Sequence, residues 1–116
     1  MNPHIFRRYD IRGVVSRDLT EPLAKQIGQA VATQMRAQGL QKLVVGRDGR
    51  LSSPGLAQAL IEGALSVGVT VIDLGEVTTP MVYFAAKTLE GANSCVVVTG
   101  SHNPPDYNGI KIVIDD

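Results

Sequence analysis

The sequence predicts an α/β fold of three layers, with helices on both faces of a mixed four-stranded sheet. Three observations predict it. Apolar strand-like runs recur near residues 43, 70 and 95, a helix-period stretch separates each from the next, and the last strand follows its predecessor through a loop alone. The βαβαβ rhythm makes the first three strands parallel, joined by right-handed crossovers. Without a crossover helix, the final strand has to turn back antiparallel, as an edge strand or close to an edge.

The chain opens with a charged segment, Met1 to Gly13, in which Asp10-Ile11-Arg12-Gly13 suits a turn into the body of the fold. Thr20 then caps a helix whose first turn holds Glu21 and Pro22, both favourable there. Leu23, Ile27, Ala30, Val31 and Met35 fall on one face of it, and Gly39 supplies the stop. Leu43-Val44-Val45 reads as a short buried strand, followed by the polar loop Gly46-Arg47-Asp48-Gly49-Arg50. A second helix starts near Ser53 with Pro54 in its first turn. Its buried stripe is Leu56, Leu60, Ala64, Leu65 and Val67, and Gly68 ends it. Val69 to Leu74 is the next strand. Thr79-Pro80 repeats the cap-then-proline device and opens a helix through Val82, Ala85, Ala86 and Leu89 to Gly91. Ser94 to Val98 is the next strand, and its Cys95-Val96-Val97-Val98 is an unbroken apolar run of the kind parallel sheets bury. Ile110 to Ile114 is the last strand, on which Lys111 faces away from Ile110 and Ile112.

Composition narrows the function. With 116 residues, 44% of them apolar and 19% charged, the chain has the material for one domain with one core. Lys plus Arg and Asp plus Glu both number 11 and Trp is absent, which argues against nucleic-acid binding by phosphate neutralisation or base stacking. Cys95 is the one cysteine, set in an apolar run, so neither a disulfide nor a multi-cysteine metal site is expected. No run approaches the ~18 apolar residues of a membrane span, and no signal-peptide core opens the chain. A reducing, cytoplasmic setting is expected.

The chemistry concentrates between the last two strands, at Thr99-Gly100-Ser101-His102-Asn103-Pro104-Pro105-Asp106-Tyr107-Asn108-Gly109. The glycines allow sharp turns at either end and the proline pair stiffens the middle. A polar loop at the carboxyl end of a buried strand is where open α/β sheets place chemistry, although many such loops are only connections. Ser101 beside His102 suggests a serine nucleophile and its base. Side chains of successive extended residues point apart, however, and the GxSxG elbow is not matched, so a serine hydrolase is the lesser alternative. Phosphoryl transfer needs positioning and electrostatic stabilisation more than a built-in base. Ser101 as a phosphoserine, with Arg12 and Lys111 as compensating charges, fits that requirement. Lys111 also reads simply as an edge-strand surface lysine. The segment Gly46–Arg50 lacks the endings of a P-loop or a dinucleotide fingerprint and reads first as a turn held by an Arg–Asp pair.

Thr99-Gly100-Ser101-His102-Asn103-Pro104 closely resembles the phosphoserine loop of the α-D-phosphohexomutase superfamily. The longer run TGSHNPPDYNGIK is most similar to its bacterial phosphomannomutase/phosphoglucomutase branch, and FRRYDIRG resembles that family's opening motif. The resemblance implies interconversion of mannose or glucose 1- and 6-phosphates through a hexose 1,6-bisphosphate. Ser101 is then the phosphoryl carrier, His102 a catalytic and substrate contact, and Tyr9 an aromatic at the substrate site. Arg12 and Lys111 match residues with acid/base and phosphate-stabilising roles. Thr99, Gly100 and Asn103 support the loop, with Arg47 or Arg50 buttressing it. A phosphoserine oxygen on Ser101 is one ligand to Mg2+, the others lying in a further domain. Residues 1–116 correspond to the first of four family domains, so contacts with the other three are expected and the chain alone should be nearly inactive. Asp115-Asp116 does not supply the family's Asp-x-Asp-x-Asp metal segment. Phosphoglucosamine mutase, and a non-catalytic phosphosugar-binding or regulatory domain of the same fold, are the alternatives.

Overall fold

A computed structural model of the chain describes residues 7–14, 19–50, 52–88, 94–100 and 107–114, with the backbone alone for 7–14 and for Tyr107. Five strands and three helices alternate along it. They are β1 (Arg7–Val14), α1 (Glu21–Ala37), β2 (Lys42–Arg47), α2 (Ser53–Val67), β3 (Thr70–Glu76), α3 (Thr79–Thr88), β4 (Ser94–Val98) and β5 (Tyr107–Ile114). The sheet order is β1-β5-β4-β2-β3. β2 pairs in parallel with both β3 and β4, as the βαβαβ reading requires, and β5 pairs antiparallel with β4.

The three-layer mixed α/β architecture is as the sequence predicts, with one strand more than expected. β1 pairs antiparallel with β5 over eight residues, Arg7 to Val14 against Ile114 to Tyr107. The antiparallel strand β5 is therefore second from the edge, and β1 holds the edge in place of the expected Asp10–Gly13 turn. The physical reason lies in RRYDIRGV, where Arg7, Arg8, Asp10 and Arg12 blur the period-two apolar signal. Charges of this kind are what edge strands carry.

Strand alternation builds two cores. Leu43, Val45, Val96, Val98, Ile110, Ile112 and Ile114 pack under α1 and α2, whereas Val44, Cys95, Val97 and Val113 pack toward Val82 and Ala86 of α3. Each fully buried Leu, Ile or Val contributes roughly 1.5–3 kcal/mol relative to exposure. Cys95 is a buried free thiol, as its apolar setting predicts.

Local signals hold at most helix ends. Thr20 accepts a hydrogen bond from the Leu23 amide at 3.3 Å and caps α1. Gly68 ends α2 at φ 101°, a left-handed conformation that favours glycine. The buried stripes are rotated from those expected: Ala30 and Leu65 are exposed, and Ala24, Gly28, Ala32 and Gly63 are buried in their place. The cause is the close approach of α1 to α2. A Cβ on Gly28 would collide with the Leu60 carbonyl, and one on Gly63 with the Lys25 carbonyl. Small residues bring the helix backbones together there, and the faces presented to the core shift with them. α3 is described to Thr88, and its expected continuation through Leu89 to Gly91 lies outside the described residues.

Candidate functional site

The parallel strands β2, β3 and β4 end on one side of the sheet, and β5 begins there. The chain leaves β2 toward α2 on one face and β3 toward α3 on the other, so a crevice opens at the carboxyl ends of the strands. An open cleft of about 540 Å³ lies there, with Asp48, Gly49, Glu76, Thr78, Thr79 and Thr99 among its walls.

The base of the β4–β5 loop is closed by a 2.9 Å hydrogen bond from the Thr99 amide to the Gly109 carbonyl. The Asp48 amide donates to the Val98 carbonyl at 2.9 Å, joining the turn after β2 to the end of β4. Asp48 then gathers several donors onto its carboxylate. Oδ2 accepts from the Gly100 amide at 2.9 Å and pairs with Nε of Arg50 at 3.3 Å. Oδ1 accepts from the Arg50 amide at 3.1 Å and from the Ser53 hydroxyl. Partial burial pushes this carboxyl up, but hydrogen bonds from Ser53, Gly100, Arg50 and Thr99 outweigh it and hold Asp48 below the usual carboxylate value of 3.8.

Asn108 does the corresponding work at the far end of the loop. Its Nδ2 donates to the Ser52 and Ser53 hydroxyls, each at 2.9 Å, and its Oδ1 accepts from the Gly109 amide at 2.8 Å. Ser53 thus accepts from Asn108 and donates to Asp48. Serines 52 and 53, which open α2, are engaged across the loop, and Ser52 makes no side-chain cap to its own helix. Gly100 is buried, and a Cβ there would run into the Arg50 guanidinium, so that side chain lies flat against the loop's first turn.

Among the residues singled out from sequence, Thr99, Gly100, Arg47 and Arg50 come together here. Arg47 ends β2 opposite Val98 and accepts the Val77 amide on its carbonyl at 2.9 Å. The Arg–Asp pair expected of the Gly46–Arg50 turn is the Arg50–Asp48 pair. Lys111 is partly exposed on β5, opposite Val97 on one side and Asp10 on the other, between buried Ile110 and Ile112. Arg12 stands opposite Gly109 and Tyr9 opposite Ile112 in the β1–β5 register. Ser101, His102 and Asn103 lie outside the described residues. Sequence reasoning missed the reach of Asp48 to Gly100, and it gave Ser52, Ser53 and Asn108 no individual role in the site. The available signal was a carboxylate in the loop before α2, followed by two serines where one cap suffices.

Comparison with known proteins identifies the family. The family described as phosphoglucomutase/phosphomannomutase, alpha/beta/alpha domain I, matches residues 3–116. The chain belongs to that family. A phosphomannomutase/phosphoglucomutase of Pseudomonas aeruginosa is 54% identical over 110 residues, which cover 95% of this chain and 24% of that protein. A probable phosphoglucosamine mutase of Thermococcus gammatolerans is 49% identical over 88% of this chain and 22% of that protein. The crystal structure of a phosphoglucomutase/phosphomannomutase family protein from Burkholderia thailandensis superposes with a TM-score of 0.86 at 52% identity, covering 92% of this chain and 25% of that one. The chain therefore spans about a quarter of the length of these relatives.

Among the described residues, no three His, Cys, Asp or Glu side chains group as a metal site. The Asp48 carboxylate is engaged by N–H and O–H donors. These residues do not form a binding set for Mg2+, a hard cation that takes several oxygens in octahedral array. No helix among them is long and apolar enough to cross a membrane.

Proposed function

We propose that this chain is the phosphoserine-bearing domain of a phosphohexomutase that interconverts hexose 1- and 6-phosphates of mannose or glucose. The observation that carries the reading is how the two ends of the TGSHNPPDYNG segment are held. Thr99 and Gly100 follow β4 at the carboxyl end of the parallel strands, Gly100 is tied to Asp48, and Asn108 is tied to Ser53 at the start of α2. Ser101 carries the phosphoryl group. The bond between its Oγ and phosphorus breaks as a new P–O bond forms to the free sugar hydroxyl, whose proton passes to a base while the departing serine oxygen takes up a proton from an acid. The hexose 1,6-bisphosphate then reorients and returns its other phosphoryl group to Ser101. Arg12 and Lys111 supply positive charge and proton transfer, and His102 and Tyr9 contact the sugar phosphate. The support for Arg12 and Lys111 is the register, which sets Arg12 opposite Gly109 and Lys111 two residues further along β5. Mg2+, held in part by the Ser101 phosphoryl oxygen, would supply charge neutralisation at the transferring group. Its remaining ligands, the sugar-recognition surface and the distal phosphate site belong to parts of a family enzyme beyond this domain, so the domain alone is nearly inactive. The reaction is one of soluble sugar phosphates, in keeping with a cytoplasmic setting.

The test is peptide mass spectrometry on the full gene product purified from cells, paired with a turnover assay. Trypsin releases Thr88 to Lys111, and the phosphoryl group is expected on Ser101. Ser101→Ala abolishes glucose 1-phosphate to 6-phosphate conversion and leaves the fold intact. A phosphoryl group on another residue, or activity surviving that substitution, overturns the carrier assignment. Failure of Ser101 to charge from hexose 1,6-bisphosphate favours a non-catalytic sugar-phosphate-binding domain. The Thermococcus similarity favours glucosamine phosphate as a second substrate reading, which parallel assays with mannose, glucose and glucosamine phosphates resolve.

A further inference from the structure

We infer that Asp48 is a positioning residue for phosphoryl transfer, its carboxylate fixing the start of the carrier loop directly and the end of that loop through Ser53 and Asn108. This rests on the proposed role of Ser101. Asp48 touches neither end of the reaction. It holds the Gly100 amide at 2.9 Å, and Gly100 is covalently followed by Ser101. An ionised carboxylate offers about four lone-pair sites. Those of Asp48 are engaged by the Gly100 and Arg50 amides, the Arg50 guanidinium and the Ser53 and Thr99 hydroxyls. A carboxylate so engaged is neither a general base nor a metal ligand. Its work is geometric.

The second arm makes the device two-ended. The Ser53 hydroxyl has one proton, which goes to Asp48, and this orients its lone pairs toward Asn108 Nδ2 at 2.9 Å. Asn108 in turn takes the Gly109 amide, whose residue closes the loop base against Thr99. One carboxylate therefore sets the residues on both sides of the 101–106 segment. In-line phosphoryl transfer depends on such placement, and a misplacement of ~1 Å can cost about 100-fold in rate.

Asp48→Asn tests this because it keeps the shape and removes the acceptor. Both carboxylate oxygens take N–H donors, so either orientation of the carboxamide turns an NH2 group against one of them. In the full gene product, single-turnover charging of Ser101 from glucose 1,6-bisphosphate is expected to slow roughly 10- to 100-fold. The final phosphoryl stoichiometry remains that of wild type, and KM for glucose 1-phosphate stays within about threefold, since sugar-binding groups are untouched. A merely structural role would instead lower the final stoichiometry in step with the unfolded fraction. Ser53→Ala cuts the second arm alone and is expected to slow charging by about a few-fold, non-additively with Asp48→Asn. Should Asp48→Asn fail to fold, Ser53→Ala decides. Charging at the wild-type rate by either folded variant, or a loss tracking only the unfolded fraction, overturns the inference. If wild-type Ser101 never charges, the proposed function fails first and the positioning role falls with it.

Discussion

Two close approaches of backbone hold this domain together, and they are built from opposite materials. At the α1–α2 crossing, Gly28 and Gly63 bring each helix against a carbonyl of the other, among buried apolar side chains. At the carboxyl end of the sheet, Gly100 lies against the Arg50 guanidinium within a set of hydrogen bonds centred on Asp48. The first contact is backbone on backbone and cannot yield. The second is backbone on the far end of a flexible side chain and can. Stability is therefore expected to reside mainly in the helix seam, and accurate placement of chemistry in the polar cluster.

The sharpest way to break this contrast is Gly28→Ala. Its Cβ has nowhere to go, because the Leu60 carbonyl and the Ala64 amide flank it. Overpacking of a dense core typically costs about 1–3 kcal/mol, and with an unyielding backbone neighbour the cost is expected at or beyond ~3 kcal/mol. Thermal or urea unfolding measures it. Ser101 charging per folded molecule stays unchanged if the two regions are separable. A slowed charging rate in the folded fraction would show that the seam also sets the loop.

Gly100→Ala is the mirror experiment and should cost less stability. The new methyl displaces the Arg50 side chain and with it the 3.3 Å pair to Asp48, a loss of about 1 kcal/mol for a partly exposed pair. Charging of Ser101, the proposed carrier, is expected to fall by about tenfold or more, since its neighbour has moved. If Gly100→Ala destabilises as much as Gly28→Ala, the polar cluster is as rigid as the seam and the division fails.

The same contrast explains what was legible in the sequence. Elements governed by local rules were: the Thr20 cap, the Gly68 stop, the βα rhythm and the buried run Ser94–Val98 all follow from near neighbours in the chain. What the sequence hid depends on partners far along it. The rotation of the α1 stripe from Ala30 to Gly28 follows from α2, more than 30 residues on. β1 is a strand because β5 offers it an edge, and its own charges conceal that. The Asp48–Ser53–Asn108 chain depends on a hydrogen bond between residues 55 positions apart. Locally, only the two serines that follow at the start of α2 set Asp48 apart from an ordinary turn aspartate. The loop received its proposed role because its sequence resembles a family motif, which is a different kind of reading from periodicity.

The smallest effect concerns charge, and it separates Asp48 the anion from Asp48 the shape. Hydrogen bonds hold its carboxyl below 3.8 in the folded protein despite partial burial. A carboxyl depressed on folding contributes stability that is present above its unfolded value and lost as pH falls through the folded one. Wild type should therefore be more stable than Asp48→Asn at neutral pH, by an amount that shrinks as pH falls below about 4, where the carboxylate takes up its proton. Comparing unfolding midpoints of the two proteins from pH 7 down to pH 3 reads this directly. Ser53→Ala should narrow the gap too, because it removes the strongest hydrogen bond holding the carboxyl down. A gap that stays constant across the acid range would mean that Asp48→Asn acts through the misplaced amide alone. The cluster would then depend on shape, as the helix seam does, and the contrast between the two regions would lose its electrostatic half.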